Sequence, residues 1–241
     1  QTFLKPGDHV IVEYPVYEPL LAATDSLGAR ISLLKRRAEQ NYQIDLNELD
    51  SLVTPQTKLI ILSNLHNPSS AWLADKLLQD MVTTAKKYND EIKVVIDEVY
   101  HDFVKTQQRP AALLDDAFIS INSLSKVYGL GLLRCGWILA APKEIDKLRR
   151  HGILVGNFGS RLTETLASLV FANLTEYDSH WSAITTQNRQ IVQEVMSPLL
   201  EQELLIGKIP PTGCVFFPEI AGLSDTRNFT QTLAHQQQVF V

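Results

Sequence analysis

Six short, almost uninterrupted apolar runs constrain this chain most: residues 9–13, 30–34, 57–63, 92–97, 118–121 and 136–140. Runs that are continuous rather than alternating predict strands covered on both faces, as in a parallel sheet packed between helices. The intervening segments carry helical periodicity. Residues 73–88 place Leu73, Leu77, Met81 and Ala85 four apart, with Leu78 and Val82 alongside, so one apolar face is backed by Lys and Asp. Segments 17–27 and 45–53 also read as helices; the second opens at Asp45 with Glu48 three residues on, a capping-box arrangement. Strands alternating with helices predict an α/β fold, a mostly parallel sheet sandwiched by helices.

Beyond Pro142 the texture changes. Helical patterns cover 142–151, 160–173 and about 175–203, followed by Pro210-Pro211-Thr212-Gly213, a strand candidate at 214–217 and a helix at 226–236. This predicts a division into a large unit, 1–174, and a connecting helix with part of a smaller α+β unit, 175–241. The 241 residues amount to about 1.6 domains of roughly 150 residues, in keeping with that division. The chain opens on Gln1 and almost at once on a strand, and it closes on the strand-like Gln238-Val239-Phe240-Val241. A strand with nothing after it leaves an open edge, so the expectation is an internal segment of a longer protein.

Composition removes several classes of function. Apolar residues at 45% and charged residues at 20% fit an ordinary globular chain. No apolar run reaches 18 residues, so no membrane-spanning helix and no membrane partner are expected. A net charge of -5 argues against a nucleic-acid partner held by bulk phosphate attraction. The two cysteines, Cys135 and Cys214, are too few for a disulfide framework or a four-thiolate zinc site, which predicts a reducing, cytoplasmic setting and no metal.

In open α/β sheets ligands gather at the carboxyl ends of the strands, and three strand ends here carry unusual polar groups. They are Ser63-Asn64-Leu65-His66-Asn67-Pro68-Ser69, then Asp97-Glu98-Val99-Tyr100, then Asn122-Ser123-Leu124-Ser125-Lys126 running on to Arg134. Taken singly each has a plainer reading: a turn-forming Asn-Pro, a loop-capping Asp, a solvated Lys. As a set they resemble the class I and II aminotransferases, pyridoxal-phosphate enzymes of fold type I. That family's pattern is Asn-Pro-(Ser/Thr)-Gly, Asp-x-x-Tyr about 30 residues on, Ser-x-Ser-Lys about 30 further, and Arg eight past the Lys. Here Asn67 to Asp97 is 30, Asp97 to Lys126 is 29 and Lys126 to Arg134 is 8. Upstream, Pro6-Gly7-Asp8-His9-Val10 and Pro15-Val16-Tyr17 resemble two further family segments, so the likeness is close over roughly 4–140.

The resemblance implies an aspartate aminotransferase-like large domain that binds pyridoxal 5'-phosphate, a homodimer, and amino acid and 2-oxo acid substrates. It implies a Schiff base at Lys126, whose freed amine moves the α-proton. Asp97 would pair with the pyridine nitrogen, while Tyr100 and Asn67 would hydrogen-bond the ring's phenolic oxygen. Ser123 and Arg134 would hold the phosphate, Arg offering a charged planar fork, with Ser125 as a candidate helper. Tyr17 would stack on the ring, although core packing is a rival role for it. His66 and His101 flank these residues without metal-ligand spacing and read as structural. Glu98 is expected to point away from Asp97, and Cys135 to be a buried small apolar residue.

Two positions depart from the family pattern. Ser70 stands where the family has Gly, and at positive φ it would cost on the order of 1 kcal/mol. Leu132 stands where a Gly precedes the Leu-Arg pair, with Gly131 one position earlier. The motifs leave three functions open: an aminotransferase, a lyase or decarboxylase using the same electron sink, and a non-catalytic cofactor-sensing domain.

Overall fold

The structure is a computed structural model that describes residues 1–104, 109–155 and 159–239. Its centre is a six-stranded sheet in the order β2-β1-β3-β4-β5-β6. The strands are β1 His9–Tyr14, β2 Arg30–Lys35, β3 Thr57–Ser63, β4 Lys93–Asp97, β5 Phe118–Ser123 and β6 Gly136–Ala140. The first five run parallel, and β6 closes one edge antiparallel to β5. All six apolar runs thus became strands, with ends shifted by at most two residues.

Successive residues of a strand face opposite sides, and in the four inner strands, β1, β3, β4 and β5, both sides are covered. Ile11, Ile60, Leu62, Val94, Ile96 and Phe118 join one core with Leu49 of α2 (Leu46–Leu52) and Leu78, Met81 and Ala85 of α3 (Asp75–Lys86). Val10, Val12, Leu59 and Ile61 join the opposite core, which Leu20 and Leu21 of α1 (Glu18–Asp25) cover. Two-sided burial is the physical reason these four runs read as uninterrupted apolar sequence.

The capping box at α2 is only half formed. The Asp45 side chain accepts from Asn47 N at 2.8 Å, but the Glu48 carboxylate turns instead to Lys35 N at 3.0 Å and to Arg37 at 2.6 Å. An ion pair and a strand-end amide compete successfully for that carboxylate.

Helices α4 (Pro142–Leu154), α5 (Arg161–Ala172) and the 28-residue α6 (Leu174–Glu201) follow. Trp181 of α6 meets Phe103 edge-on with ring centroids 4.9 Å apart. The strand expected at 214–217 is absent; the pairing that forms joins β7 (Leu205–Ile206) to β8 (Glu219–Ile220). The reason lies in how residues 213–217 use their backbone. Gly213 O accepts from Arg189, both N and O of Val215 bond the Ser70 hydroxyl, and Phe217 O accepts from Tyr42. Groups committed to side chains cannot build a ladder. A short helix, α7 (Arg227–Thr232), continues into a single wider turn, Leu233–Gln237. Gln238 and Val239 form no strand, and 240–241 lie outside the described residues. Among the described residues no helix is long and apolar enough to cross a membrane.

Candidate active site

Strand register brings the motif residues to one end of the sheet. Ser63, the last residue of β3, pairs directly with Asp97, the last of β4, and Asp97 pairs with Ile121 of β5. Asn64 N donates to Asp97 O at 2.9 Å, which ties the Asn67 loop to the Asp97 strand. Ser123 ends β5, and Lys126 follows in the loop leading to β6. Parallel strands of matched length place all these carboxyl ends together, as ligand sites in such sheets require.

The Asp97 carboxylate accepts from Val99 N at 3.1 Å. Burial pushes its pKa above the ordinary carboxylate value, while that hydrogen bond and the Lys126 ammonium pull it back. Lys126 is therefore near enough to act on Asp97 electrostatically, and it is itself exposed. Burial also raises the Tyr100 phenol, with Cys214, Asp97 and Tyr17 adding to the shift. Tyr17, Asp97, Tyr100 and Lys126 thus form one electrostatic neighbourhood. Tyr17 is 47% exposed, which fits a ring left open on one face better than a core aromatic.

Ser123 Oγ accepts from Ser125 N at 3.3 Å. Arg134 is exposed in a left-handed backbone conformation, φ 49°, just after the 3₁₀ turn Gly131–Leu133, and its guanidinium donates to Gly131 O at 3.3 Å. Leu132, at the departure from the family pattern, is 99% exposed and crowds nothing.

Ser70 does adopt positive φ, 56°. Its hydroxyl donates to Val215 O at 2.8 Å and accepts from Val215 N at 3.2 Å, which offsets the backbone strain. The neighbouring backbone must make room: a Cβ on Gly213, φ 85°, would lie 2.5 Å from Ser70 Oγ.

The two histidines have structural surroundings. His66 is fully buried, its Nε2–H donating to Pro15 O at 2.8 Å and its Nδ1 accepting from Ser69 Oγ at 2.6 Å. Desolvation, helped by Arg36, lowers its pKa to about 3, so the ring is neutral. His101 lies against Asp102, which also accepts from Tyr128 OH at 3.0 Å. Glu98 is buried and accepts from Ala111 N at 2.8 Å, away from the Asp97 partners. Cys135 is only half-buried, because its loop lies at the sheet edge beside β6.

Sequence reading missed Cys214, which approaches Lys126 and Tyr100 closely enough to interact electrostatically. It also missed the fully buried pair Glu13–Arg36, 2.6 Å apart beneath the Asn67 loop. The available signal was a Glu at the end of an otherwise apolar strand.

A mostly parallel sheet covered by helices, with an acid, a lysine, a phenol and an arginine grouped at one end, defines an α/β protein of the aspartate aminotransferase-like fold. The chain belongs to the aminotransferase class I and II family, whose model matches residues 1–241. It is 34% identical over 151 residues to a histidinol-phosphate aminotransferase of Pelagibacter ubique, covering 60% of this chain and 39% of that protein. It is 31% identical over 143 residues to an arginine–pyruvate transaminase of Pseudomonas aeruginosa, covering 58% of this chain and 36% of the relative. The structure superposes on a PLP-dependent aminotransferase from Streptococcus suis with TM-score 0.83 and 29% identity, over 99% of this chain and 63% of that one. The chain thus covers less than two thirds of the length of each of these relatives.

Proposed function

We propose that the protein containing this chain is a pyridoxal-phosphate-dependent aminotransferase that moves an amino group from an amino acid to a 2-oxo acid. The observation that carries this reading is Asp97 at the end of β4 within electrostatic reach of Lys126 in the loop after the adjacent β5, with Tyr100 beside Asp97. The donor set suits that cofactor. A half-buried carboxylate with a burial-raised pKa is relieved by a cationic ring nitrogen, and an exposed Arg together with a Ser hydroxyl, both from the stretch between the end of β5 and β6, suits a phosphate dianion. When bound, the cofactor supplies an electron sink for the substrate's α-carbon.

Each residue then has a task. Lys126 Nζ holds the cofactor covalently at rest and, once freed, moves the proton at the α-carbon. Asp97 keeps the ring nitrogen protonated. Tyr100 and Asn67 orient the ring through its phenolic oxygen, and Tyr17 fixes its plane by stacking. Ser123 and Arg134 hold the phosphate, Ser125 assisting. Residues 1–174 would form the cofactor-binding unit, and 175–241 a connecting helix and part of a second unit. A homodimer is supported by family habit and by the exposed apolar Leu162, Leu169 and Phe171 of α5. A cytoplasmic setting is supported by two free cysteines.

The test uses the full-length protein. Added pyridoxal phosphate is expected to produce a visible absorption band that Lys126→Ala lacks, with activity down at least ~1000-fold. The band should fade with an amino acid and return with a 2-oxo acid. Release of ammonia and pyruvate instead would identify a lyase, and a band indifferent to every amino acid would identify a binding domain.

A further inference from the structure

The Glu13–Arg36 pair takes no part in the steps above, yet its placement is specific. Glu13 lies near the carboxyl end of β1, Arg36 directly after β2, and Ser63 at the end of β3, so the cluster closes three adjacent strand ends. Both charged side chains are fully buried. Arg36 donates from Nη1 to Glu13 Oε2 at 2.6 Å and from Nε to Tyr42 O at 2.6 Å. Glu13 Oε1 accepts from both N and Oγ of Ser63, each at 2.6 Å. The Ser63 hydroxyl then accepts from Asn67 N at 3.0 Å.

Polarity makes this chain directional. A serine hydroxyl has one proton, and the carboxylate claims it, so a lone pair is left facing Asn67 N. The cluster is also expensive. Arg36 Nη2 is buried with no hydrogen-bond partner among the described residues. A buried ion pair with an orphaned donor is a poor source of stability compared with apolar packing. Its distinctive effect is orientation.

We propose that Glu13 is a positioning residue: through Ser63 it fixes the Asn67 backbone and so aims the Asn67 side-chain amide at the cofactor's phenolic oxygen. This rests on the reading of Asn67 given above. A hydrogen bond to that oxygen favours its ionised form, so a correctly aimed Asn67 sets the pH at which the bound cofactor changes colour. Arg36 holds the Glu13 carboxylate in place, and Ser63 relays its orientation.

The experiment is a spectrophotometric pH titration of the full-length holoenzyme, with thermal stability measured alongside. Asn67→Ala is expected to raise the midpoint pH of the colour change, about a tenfold fall in the proton concentration at the midpoint. Ser63→Ala, which deletes the relay hydroxyl but keeps the Ser63 N bond to Glu13, should move it the same way by at least threefold. Ser63→Thr, which restores a hydroxyl, should return it to the native value. Glu13→Gln must set a donor against either Arg36 or Ser63, and should move it as well where it folds. In the Asn67→Ala background, Ser63→Ala should add nothing. A folded Ser63→Ala protein that loses thermal stability but keeps the native midpoint, while Asn67→Ala shifts it, overturns the proposal and leaves the Asn67 reading intact. If Asn67→Ala leaves the midpoint unmoved, the Asn67 reading itself is wrong and the inference falls with it.

Discussion

The two sides of the candidate site are built differently. On the β1–β3 side, Glu13, Arg36, Ser63, His66 and Ser69 are buried, and each hydroxyl and ring nitrogen among them has a directed partner. On the β5–β6 side, Lys126 and Arg134 are exposed, and the Arg134 guanidinium makes one long bond, to a backbone carbonyl. One side is ordered by the protein alone. The other presents charges that the described residues leave largely to solvent. The division follows from burial: polar groups inside must be satisfied by the fold itself, whereas exposed ions are kept in reserve by water. A site of this kind has a fixed half that sets geometry and an open half that supplies binding charge.

That contrast can be broken by substitution on either side. The largest expected effect is on the open side. Arg134→Ala should weaken cofactor affinity by about 100-fold, read by equilibrium titration, while the cofactor-free protein unfolds within ~0.5 kcal/mol of the native one. A large stability loss would mean that this half is wired as well.

On the fixed side the sensitive variable is pH. His66 is neutral when folded, with its pKa lowered to about 3 from an ordinary 6.5. The unfolded chain takes up the proton first, so stability is constant above pH 6.5 and falls between there and pH 3. By pH 5 the loss should be about 2 kcal/mol in denaturant titrations. His66→Gln should flatten this acid limb, and an unchanged limb would show that other groups produce it.

The smallest effect lies at the boundary between the halves. Burial raises the Asp97 pKa, so the folded state binds its proton more tightly than the unfolded state does. Ionised Asp97 therefore costs stability above its folded pKa, and that cost disappears as the pH falls through it. At pH 7, Asp97→Asn should stabilise the cofactor-free protein in chemical denaturation while abolishing the proposed transamination of the loaded one. Destabilisation would place the boundary elsewhere.

The same contrast explains what could be read in advance. The four inner strands were legible because burial on both faces writes itself as apolar sequence; the edge runs 30–34 and 136–140 are apolar too, although their strands are only partly covered. The candidates Asp97, Lys126 and Arg134 stood out because their spacing resembles a family pattern, and the fold places Asp97 at the end of β4 and the other two in the loop between β5 and β6. The Glu13–Arg36–Ser63 cluster was not, since its members are 23 and 50 residues apart and no local pattern marks which charges will meet. The strand expected at 214–217 failed for a related reason. Its backbone partners, Ser70, Tyr42 and Arg189, belong to other segments, and propensity records only the local preference of Val215 and Phe217.

Ser70 and Gly213 also constrain how this protein can change. The serine occupies space that the glycine leaves vacant, so a side chain at 213 is admissible only after 70 has lost its own. Conversely, replacing Ser70 by glycine would release the Val215 segment from the loop that carries Asn67. A change at Ser70 therefore acts at once on the fit of Gly213 and on a tether between distant parts of the chain.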